Sequence, residues 1–298
     1  MADVLRSLSN DLAATVETAG KSIVRIEARR RQSASGIVWA ADGLIVTAHH
    51  VVERDENIKI GLPDGSAVSA TLIGRDPTTD IAVLRAQASG LTPANWADAN
   101  EIRVGHLVVA VGRPEESVQA TLGIISSLDE GWRTVAGGAI DAYVQTDVVM
   151  YPGFSGGPLV SAAGPFLGMN SSALLRGVSV TIPAATLRRV AEALLAHGKV
   201  KRGFLGVSAQ PVRLPTTIAE SAKQETGLLL ASVEQGSPAD TGGLMLGDTL
   251  LGLDGEKVRH MDDLMALLSG DRVGKTVSVR VLRGGQLQDI QVVIGERD

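Results

Sequence analysis

Ser155 stands in PGFSGGPL (152–159), with a glycine two residues before it and two more directly after it. Glycine reaches backbone conformations closed to other residues, so this stretch can turn tightly, expose the serine hydroxyl and aim neighbouring N–H groups at one point. Such convergence is what a developing oxyanion needs. A hydroxyl at its ordinary pKa is a poor nucleophile and requires a base, typically an imidazole held by a carboxylate. Both occur upstream. TAHHVV (47–52) carries His49 and His50 where a strand gives way to a loop, and TTDIAVL (78–84) opens a further strand with Asp80. Each segment alone has a plain reading as a β-turn, a surface histidine or an aspartate capping a strand. Together they stand in the order His, Asp, Ser within one β-rich region.

That order decides against a competing motif. Gly153-x-Ser155-x-Gly157 has the spacing of the α/β-hydrolase nucleophile elbow, which demands a strand-turn-helix and a serine that precedes both acid and histidine. Here the residues after Ser155 read as strands, and the later histidines, His197 and His260, fall at a helix end and in a second unit. GDRVGKT (270–276) approaches a phosphate-binding loop, but position 269 is Ser where glycine is required and a strand follows, so no ATP dependence is expected.

Composition narrows the chemistry further. The chain of 298 residues has no cysteine, which removes disulfides, thiolate metal sites and a cysteine nucleophile together. Five histidines without metal-ligand spacing argue against a metal cofactor, and no cofactor is expected. Net charge is −5, from 33 acidic and 28 basic residues, the wrong balance for a nucleic-acid partner. No apolar run approaches the roughly 18 residues of a membrane span, and the first 20 residues lack a basic stretch followed by an apolar one. The expected location is therefore the cytoplasm, or the periplasm or outside if a leader has been removed.

The elements that must position these side chains are mostly strands. From residue 22 to about 182 the chain runs through SIVRIEA, SGIVWA, GLIVTA, NIKIGL, SAVSATLI, DIAVLR, HLVVAVG, DAYVQT and SVTIP. Asp42-Gly43 and Asp64-Gly65 mark hairpins between such runs. So many strands over some 160 residues point to barrels or a sandwich, with two barrels favoured by the length. Helices are expected at 2–18, where Val4, Leu5, Leu8, Leu12 and Val16 form one stripe for docking, and at 184–197, stopped by Gly198. Beyond the basic segment KVKRG (199–203), a unit of about 95 residues alternates strands with two short helices, one after Ser237-Pro238 and one at MDDLMALLSG (261–270). The organisation expected is an N-terminal helical segment (1–20), a first domain (21–198) and a second (199–298). The basic stretch EARRRQ (27–32) reads as a solvated turn.

With these motifs assembled, DGLIVTAHHVV, DPTTDIAVL, QTDVVMYPGFSGGPLV and VTIP resemble the HtrA/Deg serine proteases, and 203–298 is similar to the PDZ domain that follows the protease in that family. The resemblance implies a mainly β fold, a chymotrypsin-like double β-barrel, followed by an α+β PDZ domain built as a partly open β-barrel. It implies an ATP-independent endopeptidase for unfolded or misfolded proteins, with His50 rather than His49 as base, Asp80 as the orienting acid, Ser155 as nucleophile, and the N–H groups of Gly153 and Ser155 as oxyanion donors. Met150, Phe154 and the strand containing Val178, Val180 and Ile182 would wall the pocket before the cut bond. No acid lies in that strand, so cleavage after small or medium aliphatic residues is expected. Phe204, Leu205, Gly206 and Val207 resemble the loop that binds a peptide C-terminus. A homotrimer or larger homo-oligomer is implied as well. Where the family usually has asparagines, this chain has Tyr151 and Phe154, which leaves an inactive scaffold or a holdase chaperone as the alternative.

Overall fold

The computed structural model describes residues 2–30, 32–97, 102–175, 177–268 and 272–296, and the chain divides into two compact units, 1–200 and 201–298. In the first unit, helix α1 (Ala2–Gly20) leads into β1 (Ile23–Glu27), β2 (Ala34–Ala40), β3 (Leu44–Ala48), β4 (Ile58–Gly61), β5 (Ala67–Asp76) and β6 (Ile81–Ala86). These six strands close an antiparallel barrel in the order β1-β2-β3-β6-β5-β4. Asp42-Gly43 and Asp64-Gly65 do turn the chain between β2 and β3 and between β4 and β5, each glycine at positive φ. The apolar stripe of α1 docks over its second half only. Leu12 and Val16 pack on the core, while Val4 and Leu5 are 71% and 63% exposed.

The second barrel is made by β7 (Leu107–Gly112) and β8 (Gln119–Asp129), then, past a small hairpin of β9 (Trp132–Arg133) and β10 (Ala139–Ile140), by β11 (Tyr143–Thr146), β12 (Pro158–Ser161), β13 (Phe166–Ser171) and β14 (Ser179–Pro183). Its order is β11-β14-β13-β12-β7-β8. Residues in a strand alternate faces, and β7 shows why its sequence is an unbroken apolar run. Val108 and Ala110 enter the cluster inside the second barrel, whereas Val109 and Val111 join the large cluster centred on the first. Helix α2 (Ala184–His197) buries Leu187, Val190 and Leu194 against strands of both barrels, and Gly198 ends it at φ +72°. Contacts of β3 with β13 and of β2 with β7 join the two closed barrels along a seam where loops from each can meet.

The second unit runs β15 (Gly203–Phe204), β16 (Val207–Arg213), α3 (Thr216–Ala222), β17 (Thr226–Val233), α4 (Pro238–Thr241), β18 (Thr249–Leu253), β19 (Glu256–Lys257), α5 (Met261–Leu267), β20 (Thr276–Arg283), β21 (Gln286–Val293) and β22 (Gly295–Glu296). Its main sheet has the order β16-β17-β18-β20-β21, so β16 is an edge strand, with α5 packed beside it. Ser237 caps α4 through Asp240 N–H, with Pro238 in the first turn. The near-phosphate-loop motif falls partly on 269–271, outside the described residues, and Thr276 opens β20. Among the described residues, no helix is long and apolar enough to cross a membrane.

Candidate active site

Asp80 sits at the head of β6 with φ +58°, a left-handed conformation that aspartate tolerates better than most residues. The turn that puts it there is held by Asp76, whose Oδ1 accepts from Thr78 N–H (3.1 Å) and Thr78 Oγ1 (2.7 Å) and whose Oδ2 accepts from Thr79 Oγ1 (2.7 Å). Asp80 is 3% exposed. Buried carboxylates persist when their oxygens are fully bonded, and here most of the bonds serve the neighbouring histidines. The Asp80 carbonyl accepts from His49 N–H (3.0 Å), and Oδ1 accepts from His50 N–H (2.9 Å). His50 Nδ1 lies 2.8 Å from Oδ2 and 3.0 Å from Oδ1. A proton on Nδ1 shared with the carboxylate leaves Nε2 as the basic nitrogen.

His49 and His50 part company on the turn Ala48 to Val52. His50 turns to the carboxylate, while His49 Nδ1 is buried without a hydrogen-bond partner among the described residues. Burial pushes the His49 pKa below the ordinary histidine value, opposed by Asp80 and helped by Arg75.

Ser155 enters from the second barrel, in the turn before β12. Gly153 (φ +92°) and Gly156 (φ +84°) take conformations that other residues rarely adopt, and a Cβ on Gly156 would run into Ser35 O and Thr47 Oγ1 of the first barrel. That close approach presses the serine turn against the strand that ends at Ala48. Ser35 locks the seam: its N–H reaches Ser155 O (3.2 Å), its hydroxyl donates to Gly153 O (2.7 Å), and it accepts from Arg113 N–H (2.8 Å). Among the described residues, the N–H groups of Gly153 and Ser155 have no acceptor.

The third side chain is not where the activated arrangement would have it. Ser155 Oγ lies 3.0 Å from Ser172 Oγ and accepts from Ser172 N–H at 3.3 Å, and among the described residues it makes no hydrogen bond to His50. Ser171 connects the two halves: its hydroxyl donates to Asp80 Oδ2 at 2.5 Å. Asp80 and Ser155 are thus bridged by adjacent serines at the end of β13. Neither Ser171 nor Ser172 was foreseen. A lone pair of serines after a strand has no distinguishing pattern, and only tertiary structure brings it to the site.

Of the five residues expected to wall a side-chain pocket, three have no surface to offer. Phe154 is fully buried within the second barrel, edge-on to Tyr151 at 5.8 Å, Ile182 is fully buried in the larger cluster, and Val180 is 2% exposed. The alternation of β14 turns Val180 and Ile182 inward, and an aromatic ring at 154 fills the barrel end rather than a cleft. Met150 and Val178 remain partly exposed. The basic stretch at 27–32 also differs from a merely solvated turn. Arg29 reaches the carbonyls of Gln32 and Ser33, and Gln32 Nε2 donates to Pro152 O at 3.1 Å. Arg31 lies outside the described residues.

Residues 34–169 match the trypsin-like peptidase domain and residues 203–294 match the PDZ domain. A probable periplasmic serine endoprotease, DegP-like, of Ectopseudomonas mendocina is 37% identical over 269 residues, 88% of this chain and 56% of its own length. Its counterpart of Halomonas elongata is 36% identical over 275 residues, 90% of this chain and 57% of its own. The chain therefore spans just over half the length of these curated relatives. Among solved structures, the HtrA-type protease AlgW with tripeptide is 31% identical at a TM-score of 0.78, covering 96% of this chain and 97% of that one. The chain belongs to the HtrA-type serine proteases. A serine endoprotease from Yersinia pestis is similar too, with TM-score 0.80, 28% identity and coverage of 96% and 98%.

Membership of the HtrA family corrects one expectation. The cytoplasmic location drawn from the first 20 residues is overturned, because the relatives matched over most of this chain are named periplasmic. Those residues fold as α1. In the HtrA PDZ unit, Phe204 pairs with Gly295, Leu205 is buried, and Gly206 stands at φ +80°. Leu205 O and Gly206 O accept from Ala239 and Glu234 N–H, both at 2.8 Å, so the carbonyls of the loop are turned into the fold. Among the described residues, Leu205 and Gly206 N–H have no acceptor.

Proposed function

We propose that this chain is an ATP-independent serine endopeptidase that cleaves unfolded or misfolded polypeptides. The observation that carries the reading is the buried Asp80 carboxylate bonded to His50 Nδ1 and braced by Ser171, beside a serine turn in which the Gly153 and Ser155 N–H groups have no acceptor among the described residues. His50 Nε2 takes the Ser155 proton as Oγ attacks the peptide carbonyl, and Asp80 keeps the imidazole in the right tautomer and stabilises its charged form. Gly153 and Ser155 N–H groups hold the oxyanion. The imidazolium then gives its proton to the leaving amine, and water attacking by the same route releases the acyl group and restores the serine. Gln32 supports the donor geometry, because a carbonyl of residue 152 drawn toward its side chain turns the N–H of residue 153 the opposite way.

Of the two departures that raised an inactive scaffold or a holdase, Phe154 is packed away inside the barrel and the half-exposed Tyr151 lies edge-on to it, and neither replaces a main-chain oxyanion donor. Digestion of unfolded casein by the wild-type chain and by Ser155→Ala tests the activity. Cleavage is expected from the first and none from the second, and equal cleavage by both would refute it. Met150 and Val178 offer apolar surface, and the nearby Asp147 is engaged by Ile124 N–H at 2.6 Å, which supports cleavage after small or medium aliphatic residues. A peptide-library digest showing preference for Lys or Arg would overturn that specificity.

The PDZ unit binds peptide C-termini in the same reading. The free N–H groups at Leu205 and Gly206 suit a carboxylate, and the open edge of β16 beside α5 suits an added strand. The AlgW structures contain peptides, a tripeptide and a decapeptide. Assembly into a trimer or larger homo-oligomer follows from the family alone.

A further inference from the structure

The hydrogen bonds of the Ser155 hydroxyl lead away from its base. Ser172 meets Ser155 Oγ twice, through its hydroxyl at 3.0 Å and its N–H at 3.3 Å. His50 is meanwhile committed to Asp80 through Nδ1, and its Nε2 receives nothing from Ser155 among the described residues. Ser172 follows directly on Ser171, so the turn that anchors the carboxylate also delivers a hydroxyl to the serine. Ser172 is itself exposed, with no other hydroxyl partner among the described residues.

Ser155 carries one hydroxyl proton. For His50 to take it, Oγ has to swing its O–H onto Nε2, and a serine side chain occupies one staggered rotamer at a time. We propose that Ser172 is a positioning residue that holds Ser155 in a resting rotamer, from which the hydroxyl is released before His50 can deprotonate it. The inference rests on Ser155 being the nucleophile. The N–H half of the contact is backbone and survives replacement of Ser172 by any residue but proline, so the hydroxyl half can be removed by itself. One net hydroxyl–hydroxyl bond corresponds to a rate factor of about 3 to 10.

The test uses the full chain with three substitutions: Ser172→Ala, Ser172→Val and Ser172→Thr. Fluorophosphonate labelling of Ser155, followed by mass spectrometry, gives the rate of nucleophile capture, and an aliphatic peptide substrate gives kcat and KM. Ser172→Ala and Ser172→Val are expected to label about 3 to 10 times faster than wild type, with kcat raised by the same factor and KM unmoved. Ser172→Thr, matched in shape to Val but keeping the hydroxyl, is expected to label more slowly than Val. Equal rates for Thr and Val, or an Ala variant slower than wild type, would overturn the latch while leaving Ser155 as nucleophile. Absence of label on Ser155 in every chain would instead remove the nucleophile reading, and the latch with it.

Discussion

Adjacent histidines at 49 and 50 show how much a single position on a turn decides. The choice of His50 over His49 came from likeness to a family and had no support in the two residue types, which are identical. Only the turn after β3 separates them, giving one imidazole a carboxylate and the other a buried Nδ1 with no partner among the described residues. A tight turn at Ser155 was legible from the glycines around it, whereas the choice of Gly153 and Ser155 as donors came from the family resemblance. Ser171 and Ser172 were not legible, because their work depends on where β13 ends. His49 also has a consequence for stability. Burial lowers its pKa, reinforced by Arg75 and His50 and opposed by Asp80 and Asp76. A histidine with a depressed folded value favours the unfolded chain on protonation, so its contribution is full above the unfolded pKa of about 6.5 and lost as pH falls below it. Urea midpoints of wild type should therefore drop between pH 7 and pH 5, and His49→Gln should flatten that drop. An unchanged slope in the variant would count against the buried neutral imidazole.

Among elements, α2 was legible to the residue, because apolar spacing and a terminal glycine both mark it. β8 was not read at all, and the reason is physical. Leu122 and Ile124 are 54% and 37% exposed while Ile125 is fully buried, so apolar residues fall on both faces and the usual inside-apolar alternation is lost. α3, seven residues with none buried, has no periodic signal either. The connection between β1 and β2, read as a solvated turn and with Arg30 and Gln32 indeed exposed, is more instructive. Its run of arginines suggested solvent, yet Arg29 folds the loop back on its own carbonyls and leaves Gln32 beside Pro152 O. Gln32→Ala removes that exposed brace, and a neutral side-chain bond of this kind is worth about 0.5 to 1.5 kcal/mol. The expected result is a kcat lowered about 2- to 10-fold with KM nearly constant, since an oxyanion donor acts mainly in the transition state. A rise in KM alone would place Gln32 in substrate binding instead.

At the scale of the whole molecule, each unit closes its own core. The barrel clusters draw their buried residues from Ala19 to Leu194, and the PDZ cluster from Leu205 to Ile294. Damage to one core should thus appear in one unfolding transition. Asp248 provides the means. It is 1% exposed, with Oδ1 accepting from Arg283 Nε (2.7 Å) and Oδ2 from Arg283 Nη2 (2.6 Å) and Met245 N–H (2.8 Å). Burial alone would raise its pKa, but the Arg283 and Met245 bonds outweigh burial and hold the carboxyl below the usual range. A depressed carboxylate stabilises the fold above its unfolded pKa of about 3.9, and the contribution disappears as pH falls through the folded value. In wild type, the transition of residues 201–298 should therefore weaken below about pH 4. Asp248→Asn should already weaken it at pH 7, by about 2 kcal/mol. That is less than the cost of breaking a fully buried pair, because the Arg283 side chain is 27% exposed. Hydrogen exchange resolved by peptide, run at both pH values, reads the two units separately. Loss of protection spreading through the barrels to the same extent would show that the cores do not unfold independently.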